Sequence, residues 1–376
     1  MSSKQIKSIF VLLRSIFNLL SSQIKKKKKY IFYSESLFYK NYYIDLLSKI
    51  SEKDNSTAIL TSDFKEYEDL KNDKFNVYYI GKGFFRILIF NIISCEYFIM
   101  TMTDIGNNFQ KSNFCKNYVY FFHCMHSTHK MYTEKAFDNY DIILSIGKFQ
   151  TSEIRKNEII NNLSKKEIHE TGYFYLDFLE NNCNKNLIKK KHVLFAPSWN
   201  YDENNLFNNY GHLVIENLIN NNFIVIFRPH PEIMKRNKKR FNETIEIFKN
   251  NDQFILDKNP SNINSMEKAS LLITDNSSIA IEYSFVFCRP VIFIDYKDKI
   301  HNKNFHKIQK LTFENEFRNL VGISITNNEI NNLSTICSEA ISMSKSNSTK
   351  IQNLKKEYLS NVSNSANVAS KILLKN

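Results

Sequence analysis

The sequence predicts an α/β protein built from two strand–helix halves, and three observations predict it. Short runs rich in Val, Ile, Leu and Phe recur along the chain with amphipathic segments between several of them, the pattern of βαβ units and a largely parallel sheet. A polar stretch, NNCNKNLIKKK at 181–191, divides that pattern into halves of similar size. All five prolines fall between 197 and 290, so the turn chemistry is concentrated in the second half.

The first segment, residues 1–24, places Ile6, Ile9, Phe10, Leu13, Ile16, Phe17 and Leu20 at near-helical spacing with Lys4, Lys7 and Arg14 between them, which predicts an amphipathic basic helix. Arg14 splits the apolar run, so the segment reads neither as a signal peptide nor as a spanning helix. Lys25 to Lys29 follow at once. Residues 1–29 are therefore expected to attach to an anionic membrane surface.

From Tyr30 the strand candidates are 30–36, 57–62, 76–80, 97–101, 118–123 and 141–147, with helices at 37–50, 84–94 and 148–163 and a last short strand at 169–179. The second half continues with strands at 193–196, 223–227, 253–256, 271–274 and 290–295. Helices are expected at 210–221, 238–250, 262–269 and 277–287. The expected division is 30–180 and 190–335 as two lobes with a crevice between them. Polar helices at 336–376 are expected to cross back toward the first lobe.

A chain of 376 residues buries ample core. Its net charge of +13 and pI near 9.2 point to an anionic partner. The basic excess lies in runs such as 25–29 and 235–240 without a nucleic-acid motif, so no nucleic-acid partner is expected. Six cysteines without a CxxC pair read as reduced thiols of a cytosolic protein. With seven glycines, neither GxGxxG nor a Walker A loop is present, which argues against dinucleotide oxidoreductases and P-loop NTPases. No cofactor is expected.

Three punctuated pieces within 191–298 carry the chemistry. Asp275-Asn276-Ser277-Ser278 follows the apolar strand LLIT and opens a helical run, where backbone N–H groups and the helix dipole favour an anion. Glu282, one turn further on, is a candidate for holding a ribose or substrate hydroxyl. Arg228-Pro229-His230-Pro231 places an Arg and a His on a constrained loop after a buried strand, suited to phosphate. Ser198 and Trp199 end a third strand at the same edge, and the Trp is a candidate for stacking on a base or walling the crevice. In the first half, three of the nine histidines (His123, His126, His129) lie within YVYFFHCMHSTHK. No acidic or thiol ligand set accompanies them, so no metal is expected. His126 is the preferred general base, with Ser127, Thr128, His129 and Lys130 on the acceptor side and His123 packed with its strand.

The series APSW, RPHP, DNSS and RPVIFID, together with the histidine segment, resembles the CDP-glycerol glycerophosphotransferase family, which includes teichoic acid primases and polymerases and capsule transferases. The resemblance covers roughly residues 95–325. It implies a GT-B-like fold of two Rossmann-like lobes, with the donor held mainly by the C-terminal one. It implies a reaction in which an acceptor hydroxyl attacks the polyol-bearing phosphorus of a CDP-polyol and CMP leaves. The family's two histidines map onto His126 and His230, and its Asp-x-Ser-Ser element onto Asp275, Ser277 and Ser278. Met125, Ser127 and Asn276 depart from the usual Trp, Gly and Tyr. The expected partners are a CDP-polyol donor and a glycan or lipid-linked acceptor, at the inner face of the cell membrane. The runner-up is a glycosyltransferase of the same fold using a nucleotide-sugar.

Overall fold

The alternation of buried apolar runs and amphipathic segments produces two all-parallel sheets in two units. The computed structural model describes residues 3–25, 28–107, 109–200, 202–297, 299–309, 311–343 and 348–375. Lys26 and Lys27 of the lysine run, and Asp298, lie outside them. One unit comprises Met1–Cys124, Tyr132–Phe178 and Leu359–Asn376; the other comprises Met125–Met131 and Leu179–Tyr358.

The first unit begins with α1 (Ser3–Lys25), then β1 (Lys28–Ser34), α2 (Lys40–Ser51), β2 (Ala58–Thr61), α3 (Phe64–Leu70), β3 (Val77–Tyr79) and α4 (Phe84–Ile92). It continues with β4 (Cys95–Met100), β5 (Cys115–Phe121), β6 (Ile142–Ser145), α5 (Lys148–Ile160), β7 (Glu167–Glu170) and α6 (Phe174–Asn182). The strands form one sheet in the order β3-β2-β1-β4-β5-β6-β7.

The second unit holds β8 (His192–Phe195), α7 (Leu206–Asn220), β9 (Ile224–Phe227), α8 (Pro231–Arg236), α9 (Lys238–Phe248), β10 (Phe254–Leu256) and α10 (Ile263–Lys268). After these come β11 (Leu271–Thr274), α11 (Ile279–Phe287), β12 (Val291–Ile294), α12 (Phe313–Val321), β13 (Gly322–Ile325), α13 (Leu333–Met343) and α14 (Ser348–Tyr358). Its sheet runs β10-β9-β8-β11-β12-β13, the doubly wound order whose direction reverses between β8 and β11. Every position of β8, β11 and β12 is buried, as expected of parallel strands covered on both faces.

Three local features depart from the sequence reading. The strand expected at 169–179 stops at Glu170, because Gly172 turns the chain at φ +96 and a Cβ there would lie 2.3 Å from the Ser360 carbonyl oxygen. The apolar residues beyond it form α6. Helix α7 starts earlier than expected because Asn205 accepts the Asn208 N–H at 3.0 Å and caps it. The constrained loop at Pro229–Pro231 leads directly into α8, with Pro231 in its first turn, where the missing proline N–H costs nothing.

The C-terminal helix α15 (Ser365–Lys375) belongs to the first unit: Ala366, Ala369 and Leu373 share a core with Leu46, Leu47 and Ile50 of α2. Asp177 anchors its start, accepting the Ser363 and Ser365 N–H groups at 2.8 and 2.7 Å. Asp177→Ala leaves those two donors without their acceptor, and Ser365 is fully buried. We expect a loss of about 2 kcal/mol in urea unfolding; an unchanged midpoint would show that the anchor carries no stability.

Candidate active site

Open α/β sheets bind ligands beyond the carboxyl ends of the strands, where the strand order reverses. In the second unit that place lies between β8 and β11, and the chain leaving these strands is stitched together there. The buried Asp275 carboxylate accepts the Ser198 N–H at 2.7 Å and the Ser198 hydroxyl at 2.8 Å. Thr274 donates to the Ala196 carbonyl at 2.7 Å. Ser198 and Asp275, read from sequence as donor ligands, are thus engaged with each other. Their work is to hold Trp199 and the start of α11 at the switch point.

That helix start keeps the character expected of it. Asn276, Ser277 and Ser278 are half-buried, and Ser278 makes no side-chain cap to the helix. Arg318 of α12 reaches the same place, donating to Asn276 Oδ1 at 3.3 Å with its other arm on Asp295. A guanidinium beside a helix N-terminus reinforces an anion site. Glu282 is buried in the first turn of α11.

Arg228 is held by partners within its own loop. It forms an ion pair with Asp257 at 2.6 Å and donates to the Pro260 carbonyl at 3.2 Å, so its fork braces the loop after β10. The neighbouring His230 fares differently. Its Nδ1 accepts the Glu232 N–H at 3.1 Å and caps α8. A neutral imidazole accepting at Nδ1 carries its proton on Nε2, so His230 presents Nε2–H as a donor, in an orientation fixed by the helix and by Pro231.

Trp199 is the hub of the surrounding cations. Its ring lies 5.9 Å from that of His230 and 6.1 Å from that of His301. Lys299 Nζ stands 4.4 Å and the Arg236 guanidinium 5.4 Å from its centroid. These are cation–π contacts that gather positive charge beside the switch point. Trp199 therefore gathers these cations around its ring.

The histidine segment divides between the two units. His123 lies just past the end of β5 in the first, with Nδ1 2.6 Å from Thr101 Oγ1 and its ring against Tyr39. His126 falls in Met125–Met131, which packs with the second unit, whereas the sequence reading placed it in the first lobe. The reason is a set of hydrogen bonds to the chain at 301–314. Glu314 accepts the Ser127 N–H at 3.0 Å and the Ser127 hydroxyl at 2.8 Å. His129 Nε2 donates to the Gln309 carbonyl at 3.0 Å, and Asn302 donates to the His129 carbonyl at 3.0 Å. The Lys130 carbonyl accepts the His301 N–H, also at 3.0 Å. Ser127 and His129 thus position the segment, and Thr128 and Lys130 are buried beside them. Among the described residues no cluster of His, Cys, Asp or Glu is arranged to hold a metal ion.

The electrostatics of His126 follow from this packing. Burial, and then the charges of Lys299, Lys130 and His301, push its pKa down to about 3. Burial and Lys299 bring His301 down to about 4. Both imidazoles are neutral at neutral pH. An anion entering among these cations would offset the smaller, electrostatic part of this depression and so raise the pKa of His126.

Lys299, His301, Glu314 and Arg318 were missed in the sequence. A signal was present for the first two: KDKIHNK follows the buried strand VIFI, in the position the other motifs hold after theirs. Glu314 and Arg318 carry no such mark, because their partners lie far away in the chain.

The model of the CDP-glycerol:poly(glycerophosphate) glycerophosphotransferase family matches residues 117–360, and the chain belongs to that family. It is accordingly an enzyme that transfers glycerol phosphate from CDP-glycerol to an acceptor. No curated protein sequence matches the chain. Among solved structures, the wall teichoic acid polymerase TagF is similar at 14% identity and a TM-score of 0.65, over 98% of this chain and 97% of that one. A form of TagF soaked with CDPG is similar at 13% identity and a TM-score of 0.61, over 98% and 97% of the two chains. A putative UDP-N-acetylglucosamine 2-epimerase from Listeria monocytogenes is similar at 11% identity and a TM-score of 0.57, over 93% and 98%. These likenesses are of fold, with two Rossmann-like lobes in a GT-B-like arrangement of elements.

Two outcomes are expected. An unfolded histidine titrates near pH 6.5, so between about pH 6.5 and 3 the unfolded chain binds the proton that buried His126 refuses. This contribution to stability is full above that window and is lost as the pH falls through it. Ring-proton NMR should show His126 untitrated from pH 7 to 5 and its pKa rising on addition of CDP-glycerol; a midpoint near 6.5 without donor would contradict the burial. Glu314→Ala should cut kcat about tenfold or more while leaving the KM for donor nearly unchanged, from the loss of hydrogen bonds to a charged acceptor. Glu314→Gln, which keeps one acceptor oxygen, should recover part of it, and a KM effect alone would point to donor binding instead.

Proposed function

We propose that the second unit binds the CDP-glycerol pyrophosphate at the start of α11, with Ser277, Ser278, Asn276 and Arg318 on one side and His230 Nε2–H with the Trp199-bound cations on the other. His126 takes the proton from the acceptor hydroxyl. The hydroxyl oxygen bonds to the glycerol-bearing phosphorus, the bridging P–O bond breaks, and CMP leaves with the electron pair. Such transfers need chiefly positioning and charge stabilisation, and the residues above supply both. The observation that carries this reading is the charge neighbourhood that His126 shares with Lys299 and His301, and that Trp199 joins to His230.

The acceptor is a hydroxyl of a cell-surface glycan or lipid-linked molecule, and the enzyme works at the inner face of the membrane, held by residues 1–29. Among the described residues no helix is long and apolar enough to cross a membrane, so attachment would be at the surface. The net charge of +13 favours an anionic leaflet.

A thermal-shift panel of CDP-glycerol, CDP-ribitol, UDP-sugars and CMP-sugars tests the donor. A ligand at 100 times its Kd stabilises by about 2.7 kcal/mol, a rise of several degrees for a unit of this size. CDP-glycerol should give the largest rise. A larger rise with a UDP-sugar would favour a sugar transferase instead.

A further inference from the structure

Amphipathic helices normally bury the apolar stripe and expose the polar one. Helix α1 instead turns a large part of its apolar surface outward. Its protein-facing side is a stripe of serines one heptad apart: Ser15 Oγ accepts the Tyr79 N–H at 2.6 Å, Ser8 lies 3.4 Å from the Tyr79 hydroxyl, and Ser22 accepts the Tyr78 hydroxyl at 3.2 Å. Leu19, in the same stripe, is fully buried. The helix thereby covers β3, the edge strand of the first sheet. The opposite stripe, Ile6, Phe10, Leu13, Phe17 and Ile24, faces outward, with Phe10 67% and Phe17 70% exposed.

Helix α4 lies beside α1 and runs the same way. Leu12 sits against Gly81 just before α4, where a Cβ would come within 3.1 Å of its Cδ1. Gln23 accepts the Ser94 N–H at 3.1 Å just after α4. Helix α4 also turns apolar residues outward at helical spacing: Phe84, 72% exposed, with Ile87, Leu88 and Ile92. Neither helix contains an acidic residue. Arg14 and Lys82 are exposed on the two segments.

We infer that α1 and α4 together form one lipid-docking face, with α4 supplying half of the side chains that enter the bilayer. This extends, and rests on, the reading of residues 1–29 as membrane-attached. The occupant is an anionic bilayer on grounds of charge. Exposed Arg14 and Lys82 beside an apolar surface to which neither helix adds an acidic side chain complement anionic headgroups over acyl chains, whereas a second copy of the face would bring like charges together. The serine contacts, with Leu19 and Leu12, hold α1 in place while the Phe10 and Phe17 stripe stays outward.

Sedimentation of the full-length protein with phosphatidylcholine vesicles, with and without phosphatidylglycerol, tests the inference. Wild type should bind the phosphatidylglycerol vesicles. Phe84→Ser/Leu88→Ser should lower the partition coefficient at least tenfold, as Phe10→Ser/Phe17→Ser should, with circular dichroism and CDP-glycerol binding unchanged in both. Phe84→Trp should be quenched by brominated acyl chains. Loss of binding in the α1 pair with wild-type binding in the α4 pair would overturn this inference and leave the attachment of 1–29 standing. Wild type failing to bind any vesicle would overturn both. A concentration-dependent dimer abolished by the α4 pair would assign the face to a second copy.

Discussion

The second unit depends on a single buried carboxylate at the point where its sheet changes direction. Asp275 accepts two hydrogen bonds from Ser198, tying the chain that leaves β8 to the chain that leaves β11. Parallel strands that end side by side at a switch point open a crevice, and the polar groups there must be satisfied without closing it. Using one side chain to satisfy the next residue's backbone and hydroxyl does this. It leaves Trp199 and the start of α11 side by side, with Lys299 and Arg236 on the Trp199 ring and Arg318 reaching Asn276.

Charge is the second constraint. Burial, and then Lys299, Lys130 and His301, raise the cost of protonating His126, and Lys299 also rests on the Trp199 ring. A pyrophosphate bound among these cations would offset their charge on His126, and in the proposed reaction this links donor binding to proton removal.

Much of this architecture was legible in the sequence. Buried runs such as HVLF, LLIT and VIFI marked the strands, and their polar endings marked the site edge. What was not legible was the division of labour at that edge. Ser198, Asp275, Arg228 and Ser127 have the chemistry of ligand-binding groups, but strand ends also need bracing, and these side chains meet that need. The contact between Ser127 and Glu314 spans 187 residues, so no local pattern announces it, and it is the contact that brings His126 into the second unit. The strand expected at 169–179 failed at Gly172, whose left-handed turn redirects an apolar run into a helix. The periodicity of α1 predicted a helix, and the reading of it as membrane-attaching agrees with the apolar stripe facing outward; the serine contacts to β3 that hold it there carry no sequence mark.

The account turns on His126 acting as the base from its place beside the donor site. CMP release from CDP-glycerol, followed with a glycerophosphate-primed lipid acceptor, tests that most directly when paired with calorimetry of donor binding. His126→Ala should lose about a hundredfold or more in turnover, the scale of general-base catalysis, while its Kd for CDP-glycerol stays within a few-fold of wild type. Full turnover in that variant, or loss of donor binding in step with turnover, would contradict it.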